Sequence, residues 1–589
     1  MVLALALDVR AALHVIAGKF WIVSMALACL ALAVLFHTSG GQDDTYITYW
    51  PARTLAEQGQ ILNYNGERLE QSSSLSLVLL LALLYKLLPA TLPTIGYLTG
   101  LALGAVTLLL AGRIGARAGQ AHAWLVMPAL GTVACFSYWA TSGTETTLVA
   151  ASELWMVLEL DEVARKGATR RSWVALCACF VFVASRPESP LVAAAVVTGL
   201  AAASLSMWRA SGAANVLSGR AVLRVALVVA GAIATLLTFR RSYFGAWLPN
   251  PANMKADGFN YVEGIGYVWH AFNANGPHWF AAFLLALLAA LHTLATRSLR
   301  SPLPIMVAAL ASAHLAFAVL SGGDWMNGAR FLALAMPALV LSAFVTNVRW
   351  LQNVRVAGAI TTLFVSANLL YAVQSLRRNE SEGRPLWTVL ELGSLFAREV
   401  GQHGFSPVEL GNNVHLRDAV TIYRFLPIVA RITAAKRGPV WIMTGQAGMV
   451  GYHVMSRYFR RAKLLDLWSL TTRELYDCFP PNALSGGKYG SWIELEDAFR
   501  QLTQGGPGCH APMPDIYYNE CLGAEARATL EKYGYVVLYE QTGTVQNGRG
   551  EPLFPGQVPA CGHFAVSKSI ALELGLRPTP PWSWTIVPQ

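Results

Sequence analysis

Charge is scarce in this chain. Only 13% of its 589 residues are Asp, Glu, Lys or Arg, about half the quarter or so usual in soluble domains. With 54% hydrophobic residues and a mean hydropathy of +0.42, that scarcity points to a polytopic membrane protein. The Gly-rich P-loop is absent, so binding of a soluble nucleotide through that device is unsupported. Cysteines at metal-ligand spacing are also missing: Cys478, Cys509, Cys521 and Cys561 are far apart, with only His510 and His563 close by, which disfavours zinc. No convincing small-residue cleavage site follows the first apolar run, Phe20 to Phe36, which therefore reads as a retained signal-anchor helix. The net charge of +10 is the cytoplasmic-loop bias of a membrane protein and gives no reason to expect nucleic acid.

Apolar runs are what the sequence has in plenty. Beyond the first, spans of roughly 17 to 20 residues fall near 93–112, 123–140, 146–163, 172–185, 188–207, 222–239, 278–296, 302–320, 329–347 and 355–374. The run "LSLVLLLALLYKLLP" (75–89) is short and carries Lys86, so it reads as a juxtamembrane helix in the interface. Arg113, Arg117, Arg165, Lys166, Arg170, Arg171, Arg209, Arg220, Arg224, Arg297, Arg300, Arg349 and Arg355 then share one side, which the positive-inside rule makes cytoplasmic.

The same arrangement sends five polar segments outward: "DDTYITYWPARTLAEQGQ" (43–60), "TSGTETT" (141–147), "SRPES" (185–189), "RRSYFGAWLPNPANMKADG" (240–258) and "SGGDWMNGARF" (321–331). Glu145, Arg186, Glu188 and Asp324 sit near helix ends there, where an unpaired buried charge is costly. Each alone reads equally well as a structural group, capping a helix and pairing with its neighbours, and as a working one; five such loops on one face suggest a site. Arg240 and Arg241 read as interfacial anchors, and Trp247 as aromatic belt. Glu153 and His314 are intramembrane ionisable residues, read first as helix ties.

The long apolar runs stop at about residue 375. Residues 1–375 are expected to form the membrane domain and 376–589 an extracytoplasmic α/β domain. Strands are expected in "GPVWIMTG" (438–445) and "YGYVVLYEQ" (533–541), and helices in 491–504 and 523–534. Its four cysteines suggest two disulfides, with three pairings open. Cys29, Cys135, Cys177 and Cys179, in apolar spans, read as packed thiols.

The segment beginning Asp43-Asp44 resembles the start of the first outer loop in membrane glycosyltransferases of the GT-C class, nearest to the arabinofuranosyltransferase-type family. The "SGTET" and "SRPE" turns, "YFGAWLPN" followed by Lys255, "GGDWMNGARF", "GQAGMVGY" (445–452) and "LLDLWSL" (464–470) are similar to later motifs of that family, in the same order along essentially the whole chain. Trp50, Pro51 and Gln446 depart from its pattern; Gln446 stands where an aspartate is usual. The resemblance implies a GT-C-like membrane protein of about eleven transmembrane helices plus the juxtamembrane helix. It implies transfer of a sugar from a polyprenyl-phosphate donor to a glycan or protein acceptor at the outer surface of a bacterial plasma membrane.

Such a reaction needs a base for the acceptor hydroxyl, and an ionised carboxylate serves. Asp44 is the expected base, nine residues before Arg53, the spacing found in related enzymes. If the backbone is extended there, Asp43 faces the other way and orients the loop or assists a cation. The leaving phosphate calls for Arg186, Lys255 or Arg330, which read otherwise as headgroup contacts or partners of Glu188 and Asp324. Asp324 and Glu145 suit sugar hydroxyls, and Trp325, like Trp247, suits a sugar ring or, more simply, the aromatic belt. Arg53, Glu188 and Asn250 complete the expected substrate-binding set. No cofactor is assigned, and a divalent cation stays open. A mannose-transferring relative and a lipid-linked sugar flippase are the rival readings; the flippase would spread polar groups and broken helices through the midplane.

Overall fold

The apolar runs fold as helices and the C-terminal region as a mixed sheet with helices. The computed structural model describes residues 20–36, 38–39, 42–118, 123–166, 171–211, 218–255, 259–276, 278–280, 284, 302–324, 326, 328–345, 353–378, 386, 413–479, 493–505, 508–519, 523–545 and 560–586. Two compact units emerge: Met1–Ser39, Tyr97–Arg241 and Phe259–Leu386 form one, and Gly40–Gly96, Ser242–Gly258 and Trp387–Gln589 the other.

In the first unit, small residues let helices approach closely. A Cβ on Gly100 of helix Leu92–Arg117 would lie 2.6 Å from the Ala140 carbonyl oxygen, and one on Gly131 would lie 3.1 Å from that of Ala26. This is the packing expected of helices with no solvent to drive them together. Four described helices, Leu92–Arg117, Gly219–Tyr243, Leu303–Leu320 and Val354–Tyr371, are long and apolar enough to cross a membrane. The span expected at 123–140 is instead interrupted, with helices Val126–Gly131 and Ala134–Ala140 on either side of Thr132 and Val133. Most of the span expected at 278–296 lies outside the described residues. Glu153 and His314 form a buried pair between helices Thr146–Lys166 and Leu303–Leu320, at 2.7 Å. Cys177 is exposed rather than packed, unlike Cys29, Cys135 and Cys179.

The second unit is built on a six-stranded sheet. Its strands are β1 (Val440–Thr444), β2 (Ala462–Asp466), β3 (Ile516–Asn519), β4 (Tyr535–Val545), β5 (Ala560–Ser567) and β6 (Trp582–Ile586), in the order β2-β1-β3-β5-β4-β6. Pairings β1–β2, β1–β3 and β4–β6 are parallel, and β3–β5 and β4–β5 antiparallel. Side chains alternate across the strands. Met443 and Tyr517 point into a core with Phe499 and Leu530 from helices Leu495–Gln504 and Ala524–Lys532. Tyr518, next along β3, meets Phe425 of helix Asn413–Ala435 with ring centroids 5.1 Å apart. Cys478 and Cys509 are joined by a disulfide; Cys521 lies outside the described residues, as does the side chain of Cys561.

One stretch expected as a loop behaves differently, and the short run after it is a helix as expected. Residues Asp44–Gln58 form a helix with Pro51 inside it, which buries Tyr46, Tyr49 and Trp50. The extended backbone expected at Asp43-Asp44 is therefore corrected. Helix Leu75–Leu87 has 13 residues, short of the roughly 20 a span requires, and falls in the second unit. The division expected at 375 also gains two upstream pieces. Segments 40–96 and 242–258 join the C-terminal region because their polar side chains hydrogen-bond its backbone.

Candidate functional site

The two adjacent carboxylates of the first polar segment have different surroundings. Asp43 occupies the position before helix Asp44–Gln58 without capping it. Its carboxylate turns to another helix, Ala447–Tyr458, and accepts the Met449 N–H at 2.6 Å. The first N–H groups of a helix have no partner within it, and Gln446, at the capping position, makes no side-chain cap. Asp43 supplies the missing acceptor, with its charge at the favourable end of the helix dipole. Asp44 begins its own helix, half-buried. Among the described residues its carboxylate has no hydrogen bond or ion pair.

The glycines of "GQAGMVGY" explain how these segments come together. Gly448 and Gly451 lie three residues apart, hence on one helix face. A Cβ on Gly448 would overlap the Asp43 carboxylate and carbonyl oxygen, and one on Gly451 would lie 2.7 Å from the Tyr64 ring. The buried Tyr64 hydroxyl is 2.9 Å from the Gly448 carbonyl and 3.1 Å from that of Tyr46. Burial, then the charges of Asp43 and Asp466, push its pKa well above the usual phenol value, so it remains a donor. Gln71 completes this corner: its Oε1 accepts the Tyr64 N–H at 3.0 Å while its Nε2 donates to the Ile47 carbonyl at 2.8 Å. Tyr64 and Gln71 are absent from the sequence-based candidates; paired helical glycines were the available signal.

The "LLDLWSL" stretch is a buried turn organised around Asp466. Its carboxylate accepts from the backbone of Trp468 and Thr471 at 2.9 Å each and from the Thr471 hydroxyl at 2.8 Å. Burial raises the Asp466 carboxyl above its usual range, with the Thr471 and Trp468 N–H groups acting against that rise. Asn250 docks here, donating through Nδ2 to the carbonyls of Ser469 (2.7 Å) and Leu470 (2.8 Å). These two bonds tie Asn250, a member of the expected substrate-binding set, to the turn. Asn63 and Asn65 make similar bonds to Thr471 and Leu464. Lys255, the cap residue after helix Asn250–Met254, is exposed and makes no ion pair among the described residues. Arg53 is bound to Glu57 at 2.9 Å, one helical turn on.

In the first unit, Glu145, Arg186, Glu188, Asp324 and Arg330 form one buried cluster. The Arg186 guanidinium is ion-paired with both Glu145 and Glu188, and Arg330 with Asp324 at 2.6 Å. Both guanidinium groups lie over the Phe331 ring, at 5.3 and 5.7 Å from its centroid, a favourable cation–π position. Three carboxylates thus meet two guanidiniums, leaving no surplus positive charge. Five residues of the expected substrate-binding set, Glu145, Arg186, Glu188, Asp324 and Arg330, are thus brought together and paired with one another.

Backbone strain surrounds the same cluster. Gly322, Gly323 and Gly328 all have φ of 77°, and Ala329 has φ of 51°, rare for a residue with a Cβ. A Cβ on Gly323 would overlap the Tyr267 ring, and one on Gly328 the Tyr138 ring. The Tyr267 hydroxyl accepts the Phe331 N–H at 3.1 Å, and Trp139 donates to the Gly328 carbonyl at 2.6 Å. Trp325 lies outside the described residues. Arg240 is fully buried rather than an interfacial anchor, whereas Arg241 and Trp247 are exposed. Among the described residues, no group of three or more His, Cys, Asp or Glu side chains is placed to hold a metal.

No protein-family profile matches the sequence, and neither does any curated protein. Several solved structures resemble it at low identity. The oligosaccharyltransferase AglB from Archaeoglobus fulgidus, in complex with an inhibitory peptide and a dolichol-phosphate, aligns at 12% identity with a TM-score of 0.46, over 85% of this chain and 70% of that one. ArnT from Cupriavidus metallidurans bound to undecaprenyl phosphate aligns at 12% identity and TM-score 0.44, over 94% of this chain and 99% of that one. The arabinosyltransferase EmbB from Mycobacterium smegmatis aligns at 16% identity and TM-score 0.36, over 69% and 37%.

Proposed function

We propose that this chain is a membrane glycosyltransferase of the GT-C type. It moves a sugar, arabinofuranose in our reading, from a polyprenyl-phosphate donor to a hydroxyl of a glycan or protein acceptor. The reaction takes place on the extracytoplasmic side of a bacterial plasma membrane. The observation that carries this reading is the contrast between Asp43, whose carboxylate is engaged by the Met449 N–H, and Asp44, half-buried beside it and unpartnered among the described residues.

An ionised Asp with free lone pairs needs no further activation to accept a proton. As the acceptor oxygen attacks the anomeric carbon, its proton passes to Asp44, the bond from that carbon to the phosphate oxygen breaks, and the lipid phosphate leaves as an anion. General-base assistance of this kind is worth about 10² to 10⁴ in rate. Lys255, in the same unit and exposed, is the cation we assign to the departing phosphate. The ordered motifs from Asp43 to Leu470 support the reaction class.

The test is transfer by purified protein in nanodiscs, with radiolabelled polyprenyl-phosphate arabinofuranose or mannose as donor and cell-envelope glycans as acceptor. Label entering the glycan from the arabinofuranose donor is expected. Transfer from the mannose donor alone overturns the assigned sugar, and transfer from neither donor, with binding intact, overturns the enzyme reading.

A further inference from the structure

Helix Ala447–Tyr458 stands in an unusual relation to the acidic pair. It is 12 residues long, and its own capping residue, Gln446, leaves the Met449 N–H to a carboxylate 406 positions earlier in the sequence. The contact is tight on both sides. Gly448 presents only hydrogen toward Asp43, because any Cβ there would overlap the Asp43 carboxylate and its carbonyl oxygen. The Asp43 carbonyl is itself fixed, accepting the Tyr46 N–H at 3.0 Å in the first turn of the helix that starts with Asp44. One residue therefore joins two helix starts, its carboxylate to one and its backbone to the other, and Asp44 is its immediate neighbour. Tyr64 closes the arrangement by bridging the Gly448 and Tyr46 carbonyls.

We propose that helix Ala447–Tyr458 is the positioning element for Asp44, acting through the Asp43 carboxylate, and that Gly448 is the residue that makes this contact attainable. The inference rests on the reading of Asp44 as general base and gives its neighbour a different duty. Asp43 takes no proton in the reaction; it fixes where Asp44 stands. A base must lie within hydrogen-bond reach of the proton it removes, and a misplacement of about 1 Å can lower a rate about 10²-fold. Asp44 is the first residue of its helix, so the contact made by its neighbour Asp43 bears directly on where it stands.

Three substitutions test this. Asp43→Asn keeps an oxygen able to accept the Met449 N–H, whereas Asp43→Ala removes it. Gly448→Ala adds the obstructing methyl while favouring the helix itself, so it strikes at the contact rather than at the helix. Sugar transfer is expected to fall in the order wild type, Asp43→Asn, Asp43→Ala, with Asp43→Ala at least about fivefold below Asp43→Asn and Gly448→Ala about tenfold or more below wild type. The losses are expected in kcat, with the KM for the lipid-phosphate donor unchanged in all three. Amide hydrogen exchange in peptides covering 447–452 is expected to quicken in Asp43→Ala and Gly448→Ala.

Equal losses in Asp43→Asn and Asp43→Ala overturn the inference, because the charge of Asp43 rather than its bond to Met449 would then matter, and so does a loss confined to KM. Wild-type transfer by Gly448→Ala with unchanged exchange also overturns it, and leaves the proposed function standing. A wild-type protein that binds donor and transfers nothing removes the function and the positioning role together.

Discussion

His314 and Glu153 meet at 2.7 Å with both side chains buried in the helical unit. The second oxygen of Glu153 and the Nδ1 of His314 have no hydrogen-bond partner among the described residues, so each group depends on the other. Replacing one alone leaves a buried polar group unsatisfied, a penalty of about 1 to 3 kcal/mol. His314→Leu and Glu153→Leu are each expected to lower the melting temperature in detergent more than the double substitution does. Additive losses in a thermal double-mutant cycle would show that the pair is not a tie.

Asp44→Asn is nearly isosteric, and on a solvated loop it would change stability by about half a kcal/mol or less. An amide oxygen is too weakly basic to take the acceptor proton. The substituted protein is expected to bind polyprenyl-phosphate sugar normally and to lose transfer by about 10² or more. Near-normal transfer would remove Asp44 from the role of base.

Arg186 serves two carboxylates at once, which the planar fork of a guanidinium can do and a single ammonium cannot do equally well. Arg186→Lys is expected to destabilise the first unit by about 1 to 3 kcal/mol. Glu145→Gln, which retains an acceptor oxygen, is expected to be milder. Thermal unfolding with circular dichroism would measure both. An Arg186→Lys protein with unchanged unfolding and lost donor binding would return this residue to the phosphate.

The proposed orientation makes Lys166 cytoplasmic and the helix Lys568–Glu573 extracytoplasmic. Both Lys166 and Leu572 are exposed. In intact cells, Lys166→Cys is expected to resist an impermeant thiol reagent and Leu572→Cys to react, relative to the unsubstituted chain. The reverse pattern would place the candidate base on the wrong side for a lipid-phosphate donor.

The disulfide between Cys478 and Cys509 closes a sequence separation of 31. A loop of that size corresponds to about 3.5 kcal/mol in the chain-entropy account. Mass spectrometry without reduction should recover the two cysteines in one linked peptide pair, and reductant should lower the unfolding temperature. Free thiols at both positions would contradict the bond.

Much of the second unit could be read from its residues. Val440–Thr444 and Tyr535–Val545 announce themselves by β-branched and aromatic side chains, and Leu495–Gln504 by a one-sided apolar pattern. Strand β3, Ile516–Asn519, is four residues long, too short to show a period, and β6 lies beyond a Pro-rich stretch. Helix Asp44–Gln58 is concealed by Pro51 and by a mean polarity typical of loops; its tyrosines are buried by tertiary contacts that local pattern does not encode. The same limit governs the acidic pair. Sequence singles out Asp43 and Asp44 together, but their difference depends on the Met449 N–H, hundreds of residues away. Arg186 and Arg330 were legible as unusual charges with Glu188 and Asp324 close by in sequence, while Glu145, the second acid on Arg186, arrives from a separate turn.

The 406-residue separation between Asp43 and Met449 also sets a schedule for biosynthesis. At about 5 to 20 residues per second, roughly 20 to 80 s pass between the emergence of the acidic pair and that of the helix that receives it. Throughout this interval the Tyr46, Tyr49 and Trp50 side chains lack the C-terminal surface that completes their burial. Chaperone demand should therefore peak before the last third of the chain is made, and premature termination should yield a nascent protein with an aromatic helix uncovered, an early substrate for quality-control proteolysis.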